Sequence, residues 1–454
     1  MRRKKFNKSM VISKKYFYIY SLIAVFIWIG GSGPALGQEP LSFYGAINKT
    51  LENNYQIQIA SKSLEIAENN NNPGAAGMWP TITLSASQNN NLTDQTKPTA
   101  RTTIMNSVAP AINLNWLLFG GFSVKINRQR LAELVNLSEG MMAVVVENTL
   151  QAVILAYQRA LLEKETLAVT KEVMKLSYDQ YQYEEARKGT GSGTTFDLQQ
   201  ARTSYLQDSS TYILQGINYR NAMRNLNLIM GEEHSVQYTL TDSFKPIEHT
   251  FKLENLFSNL ESNSQILKNQ YISQQMLQYD MEQSKSQLYP SFSLNAGSSY
   301  TLSSTKIDNA ARTNADPLYL YGNFTLSFNL FNGGNVRRSI QNAKIELEKS
   351  QLETNELEKQ IKMELTSTFD LYNVRKQLYD VSVENVTLTR MNLTLAQDKY
   401  KLVTINSINL REVQLAYLNA SLSRLQAIYD LMNTYTEIMR ATGGIVQEFS
   451  DNKE

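Results

Sequence analysis

The chain has 454 residues, 44 basic against 42 acidic, with two histidines and no cysteine. A near-neutral balance leaves no electrostatic footprint for nucleic acid. The missing thiols exclude disulfides, cysteine nucleophiles and a lipidated cysteine, so stability has to come from packing or oligomerisation.

The first 37 residues read as a secretory signal. Arg2, Arg3, Lys4, Lys5, Lys8, Lys14 and Lys15 precede any acid, an apolar run covers 17–29, and Ala35-Leu36-Gly37 offers a small-residue cleavage site before Gln38. The alternative is an uncleaved anchor, but the apolar core is short of a bilayer span of about 20 residues. Cleavage leaves 37 basic and 42 acidic residues, a net charge of −5. No later stretch of about 20 apolar residues stands out, so a membrane crossing would need strands in a closed barrel.

The mature chain then runs in a fixed order. A leading helix is expected over 42–70. A strand follows in which Ile82, Leu84 and Ala86 alternate with Thr81, Thr83, Ser85 and Ser87, then a polar loop over 89–103. In the next strand Ile112, Leu114, Trp116 and Leu118 alternate with Ala111, Asn113 and Asn115. Gly120-Gly121 hands over to a long helix with Val153, Ala160, Leu167, Met174 and Tyr181 spaced by seven, and Gly189, Gly191 and Gly193 supply a turn. The return helix keeps the same period with Leu198, Tyr205, Tyr212, Tyr219 and Leu226, closing at Gly231. His234 and His249 fall in the connecting segment and read as surface residues, not ligands.

The order then repeats. A second leading helix is expected over 253–287, then a strand with Phe292, Leu294 and Ala296 against Ser291, Ser293 and Asn295. After a polar loop over 303–316, Phe324, Leu326, Phe328 and Leu330 alternate with Asn323, Thr325, Ser327 and Asn329. From 335 to 401 there is neither proline nor glycine, and Leu365, Tyr372, Tyr379, Val386, Leu393 and Tyr400 are spaced by seven. Leu410, Tyr417, Leu431 and Ile438 continue the frame in the last helix, with Arg424 interrupting it.

Landmarks match between the halves: Trp79-Pro80-Thr81 with Tyr289-Pro290-Ser291, and Phe119-Gly120-Gly121 with Phe331-Asn332-Gly333-Gly334. Leu198, Tyr205 and Gly231 recur 212 residues on as Leu410, Tyr417 and Gly443. The pattern predicts a duplication, with a first repeat over 38–245, a second over 246–444 and a tail over 445–454.

Sustained heptads mean supercoiled helices packed along a seam, and helices this long reach on the order of 100 Å. Strands with one apolar face and one face of Asn, Ser and Thr, flanked by Trp79, Trp116, Tyr289 and Tyr321, suit a barrel with a watery lumen and aromatic girdles. The lipid-facing set would be Ile82, Leu84, Trp116, Phe292, Leu294, Phe324, Leu326 and Phe328. Four strands cannot close a membrane barrel, since these begin at about eight. The chain therefore has to pool strands with copies of itself, in a number the strand count leaves open.

The duplicated order of two strands, Leu-Phe-x-Gly-Gly, long helix, polar turn and closing Gly resembles the TolC outer-membrane efflux family over about 41–444. The resemblance implies a mainly α fold with a membrane β-barrel: a homotrimer whose 12-stranded barrel is continuous with a long α-helical coiled-coil barrel. It implies the outer membrane of a Gram-negative bacterium, with a periplasmic extension. The expected partners are outer-membrane lipid, a periplasmic adaptor and an inner-membrane pump of RND or ABC type. It further implies an acidic constriction after the second helical turn. Glu412 keeps a carboxylate there and Asn409 is neutral, while Asp197, the counterpart of Asn409, keeps the acid. With Tyr400 these form the candidate gate. Three copies of Glu412 around an axis would favour cations; alternatively Glu412 is a solvated residue near a helix N-terminus. Gly189, Gly191, Gly193, Val403 and Thr404 mark candidate adaptor-docking tips, with Val403 standing where the family usually has glycine.

An enzyme is not expected: no phosphate loop, metal-spaced cluster or nucleophile–base grouping occurs, and no cofactor is implied. The rival reading is a secreted coiled-coil scaffold or adhesin without a pore. It accounts for the heptads and the signal but not for four similarly placed strands.

Overall fold

The computed structural model describes residues 39–247 and 249–450; the expected signal segment lies outside them. Short strand β1 (Glu39–Leu41) precedes helices α1 (Phe43–Asn53) and α2 (Tyr55–Asn70). Strands β2 (Thr81–Gln95) and β3 (Arg101–Gly120) follow, then α3 (Ser123–Gly189) and α4 (Thr195–Met230). After β4 (Tyr238–Leu240) come α5 (Leu253–Asn263) and α6 (Gln265–Ser286). The remaining strands are β5 (Ser291–Tyr300), β6 (Leu302–Ile307), β7 (Thr313–Ala315) and β8 (Leu318–Ser327). Helices α7 (Asn335–Lys401), α8 (Ser407–Ala441) and the short α9 (Gly444–Ser450) complete the chain. The long helices α3 and α7 are 67 residues each and begin 212 residues apart.

Four expected features differ. Each leading helix is broken once. Asn54, at ψ 125°, accepts hydrogen bonds from the backbone N–H groups of Gln56 and Ile57 and so starts a new helix. Ser264, at ψ 115°, does the same for Leu267. The polar stretches 89–103 and 303–316 are largely strand: β2 and β3 stay paired out to Gln95↔Arg101, and β6 pairs with β3. Backbone hydrogen bonding thus carries the hairpins on past the apolar-alternating segment. Strand β8 ends at Ser327, so Phe328 is exposed in the junction to α7, not on a strand. Finally, α3 contains an 18-residue window of mean hydropathy 1.4, apolar enough by length and composition to cross a membrane. Leu150, Val153, Ile154 and Tyr157 from this part of the helix lie in the protein core.

All strand pairs in the larger sheet are antiparallel, and β5 and β6 succeed each other along β3. The sheet has four strand lines: β2, β3, β5–β6 and β7–β8. It does not close on itself. Among the described residues β2 pairs only with β3 and β8 only with β5, leaving both edges open. Register aligns the apolar side chains across it: Ile82↔Leu114, Leu84↔Ile112, Trp116↔Leu294, Leu294↔Phe324 and Phe292↔Leu326. Because side chains alternate between faces, these share one face. Ile82, Leu84, Ile112, Phe324 and Leu326 are all exposed. Trp116 anchors the sheet to the leading segment, its indole N–H donating to Met78 O at 2.9 Å.

The main core lies mid-way along the long helices. Leu150, Val153, Tyr157 and Leu161 of α3 pack there with Ile47, Leu226, Leu425, Ile428, Met432 and Ile445. A second cluster joins Leu256 and Leu260 to Leu365, Tyr372, Leu431 and Ile438. Toward the far turns the buried apolar clusters shrink to Val173, Leu393 and Tyr417, then to Ala396, Tyr400 and Leu410.

Candidate functional site

Both helical turns sit beyond the thinnest part of the core. In the first, Thr194 caps α4: its hydroxyl accepts from Asp197 N at 3.0 Å and donates to the Asp197 carboxylate at 2.7 Å. In the second, Asn406 caps α8 by accepting from Asn409 N at 2.9 Å. The turns have the same backbone bonds, Gly191 N to Lys188 O and Val403 N to Tyr400 O, at 3.0 and 2.9 Å. Gly191 has φ 79° and its counterpart Val403 has φ 61°. A β-branched residue in the left-handed region is sterically strained, and Val403 is also exposed, as is Leu402. Thr404 donates its hydroxyl to Lys399 O at 2.8 Å. Gly189 ends α3, and Gly193 N donates to Arg187 O at 3.0 Å.

Polar ties join the two helix pairs. Ser407 donates to Asp197 at 2.8 Å, linking the starts of α8 and α4. Tyr400 of α7 donates its hydroxyl to Glu184 of α3. The Glu184 side chain has no exposed surface and also pairs with Arg187 at 3.1 Å. Burial, and then the bond to Glu184, push the Tyr400 phenol well above its ordinary range. Arg411 grips Asp208 with two bonds of 2.7 Å, both residues being buried. Further along, Tyr417 donates to Glu172 at 3.0 Å, and Arg390 contacts both.

The structure therefore gathers Tyr400 and Asp197 into one set of cross-helix ties. Asn409 and Glu412 lie outside that set, on exposed helix surface. As expected, His234 and His249 are exposed; the His249 ring lies 4.5 Å from that of Phe251.

Residues 46–232 match the family whose description is outer membrane efflux protein. Over those residues, 187 of the 454, the chain is similar to the outer membrane efflux protein family. Solved channels have the same fold. The CmeC outer membrane channel of Campylobacter jejuni is 15% identical, with a TM-score of 0.72 over 91% of this chain and 90% of that one. The outer membrane protein VceC of Vibrio cholerae is 12% identical, with a TM-score of 0.67 over 88% and 96%. The open state of the MtrE outer membrane channel of Neisseria gonorrhoeae is 12% identical, with a TM-score of 0.66 over 88% and 89%. No curated protein matches the sequence.

Sequence reasoning passed over Glu184, Asp208 and Arg411. A signal for the two acids was present. Heptad positions three after the tyrosines of the seam also face inward, and Glu184 and Asp208 stand three after Tyr181 and Tyr205. Along α3 the same positions hold Glu163, Thr170, Ser177 and Glu184, all buried. The seam thus alternates apolar and polar layers, and only the apolar ones were read.

Proposed function

We propose that three copies of this chain form a passive duct through the outer membrane of a Gram-negative bacterium, continuing as an α-helical tunnel across the periplasm. Each copy would contribute four strand lines to a 12-stranded barrel and its helices to a coiled-coil barrel, the two halves of the chain acting as duplicated units. The observation that carries this reading is the four-stranded sheet, with both edges unpaired and an exposed apolar face. Open edges in lipid would leave backbone groups without partners; pairing β8 of one copy with β2 of the next removes every edge. A second exposed seam on α7 supports the same assembly. Val374, Val381, Leu388 and Leu395, with Leu402 at the C-cap, are spaced by seven and uncovered in the single chain. The neighbours described as outer membrane channels favour a duct over a scaffold.

The duct would take its energy from an inner-membrane pump of RND or ABC type through a periplasmic adaptor that meets the tips at Gly189, Gly191, Gly193, Val403 and Thr404. It would have no catalytic role of its own. Glu412, exposed beside the second turn, would supply three carboxylates to the mouth and favour cations there. Tyr400 and Asp197 would hold the helix pairs together in the resting mouth.

The test is the mass and shape of detergent-extracted mature protein, by light scattering and negative-stain images. A trimer about 140 Å long is expected from the helix rise plus a barrel height. A monomer, or a filament soluble without detergent, would replace the duct with the scaffold.

A further inference from the structure

The face of the sheet opposite the apolar side chains has a specific composition. One cross-strand row runs Thr81↔Asn115↔Asn295↔Asn323. The adjacent row runs Thr83↔Asn113↔Gly297↔Tyr321. In that row the Tyr321 hydroxyl donates to Asn113 Oδ1 at 2.6 Å. A Cβ on Gly297 would come within 2.7 Å of the Tyr321 hydroxyl and 2.4 Å of Ile112 O. Glycine thus lets the tyrosine lie flat across the sheet, keeping the wall low at that level. Along this whole face of β2, β3 and β5–β8 the register brings no Asp, Glu or Lys, and one Arg, Arg101 at the β2–β3 hairpin end. Asn115 lies fourteen residue steps along the strand from Arg101. At about 3.3 Å per strand residue that is roughly 45 Å, well beyond a Debye length of about 8 Å at physiological salt.

We infer that the barrel passage is a charge-neutral, amide-belted lumen that conducts solutes of either sign, so that charge discrimination rests with the helical mouth and not the membrane-spanning part. This rests on the duct reading. Three copies place nine asparagine side chains in one belt. Each amide both donates and accepts, so it can replace part of the hydration of an anion, a cation or a neutral polar molecule without preferring one sign. A ring of ionised side chains would select instead.

The experiment is the reversal potential of single channels in planar bilayers under a KCl gradient. It compares the native protein, Glu412→Gln, and Glu412→Gln carrying Asn323→Asp or Asn323→Lys. With Glu412 neutralised, the K⁺/Cl⁻ permeability ratio should lie within about twofold of one, and the Asp and Lys changes should move it about threefold or more in opposite directions. If either Asn323 variant fails to assemble, Asn295→Asp and Asn295→Lys probe the same belt with the same expected result. A ratio far from one in Glu412→Gln overturns the neutral lumen. So do belt variants that conduct but leave the ratio unmoved. Native protein that inserts without conducting overturns the duct reading, and this inference with it.

Discussion

Tyr400 on α7 donates its hydroxyl to Glu184 on α3, a carboxylate with no exposed surface near the end of its helix. A buried acid is tolerable only if its oxygens are occupied, and here Tyr400 and Arg187 occupy them. Glu184→Ala would leave both donors without their acceptor, at a cost of about 1–3 kcal/mol, and Tyr400→Phe about 1 kcal/mol. The loss should be local, because the neighbouring apolar cluster is small. Faster amide exchange over 180–189 and 396–404, with the mid-helix core unchanged, is the expected result. Uniformly faster exchange would show that this tie belongs to global stability and not to the helical turns alone.

The same turn carries its own strain. Val403 adopts φ 61°, where its counterpart is Gly191 at φ 79°. Val403→Gly should relieve about 1–2 kcal/mol of steric cost, partly offset by the greater freedom of glycine in the unfolded chain. Slower amide exchange over 399–406 would be the signature. Unchanged or faster exchange would mean that the valine side chain makes a stabilising contact in the assembly.

Arg411 and Asp208 form a buried pair tying α8 to α4. Removing one partner strands a charge, which costs about 3–5 kcal/mol, whereas replacing both with apolar residues can be nearly neutral. Arg411→Met should therefore lower the denaturation midpoint sharply, and Arg411→Met with Asp208→Leu should recover most of the loss. Additive losses in the double variant would show that the two residues do not act as a pair.

These ties explain what could be read in advance. The long helices were legible because 67 residues without proline or glycine, with a period of seven from Leu365 to Tyr400, leave no other regular solution, and Leu365, Tyr372, Leu393 and Tyr400 are indeed buried. The central strands were legible from strict alternation. Strand ends were not: Asn89 to Gln95 and Arg101 to Thr103 lack an apolar face, and only pairing with each other makes them strand. The breaks at Asn54 and Ser264 depend on one capping side chain within an otherwise continuous helical pattern. Near the helical turns, the burial of Tyr400 was legible from its heptad position. Glu184 was missed because acidic residues on a long helix usually face water, and only its spacing from Tyr181 marks it as inward.

The uncovered seam on α7 bears on assembly directly. Val374, Val381, Leu388 and Leu395 are each at least half exposed in the single chain, and burying a leucine is worth about 1.5–3 kcal/mol. Leu388→Glu places a charge in the middle of that seam. In the proposed trimer the substitution is repeated in every copy, so the detergent-extracted protein should shift toward monomer while its helical content stays unchanged. An intact trimer would mean that this face looks into the lumen or the periplasm and that the copies meet elsewhere.

Alkaline pH tests the buried phenols together. Burial is the leading cause of the raised values at Tyr157, Tyr400, Tyr417 and Tyr435. Hydrogen bonds to Asp242, Glu184, Glu172 and Glu448 push the same way. Lys49 is raised chiefly by its bond with Tyr238. For a group held protonated more firmly in the folded state, the stabilisation is complete below the unfolded value. That is about 10 for a phenol and 10.4 for lysine, and the stabilisation fades as pH rises through the higher folded value. The thermal midpoint should therefore stay level on this account from pH 7 to about 10 and fall above it. Tyr400→Phe removes one titrating phenol, so the variant should start from a lower midpoint and fall less steeply above pH 10. Parallel curves for the variant and the native protein would mean that Tyr400 titrates alike in both states, and that its bond to Glu184 does not stabilise the fold.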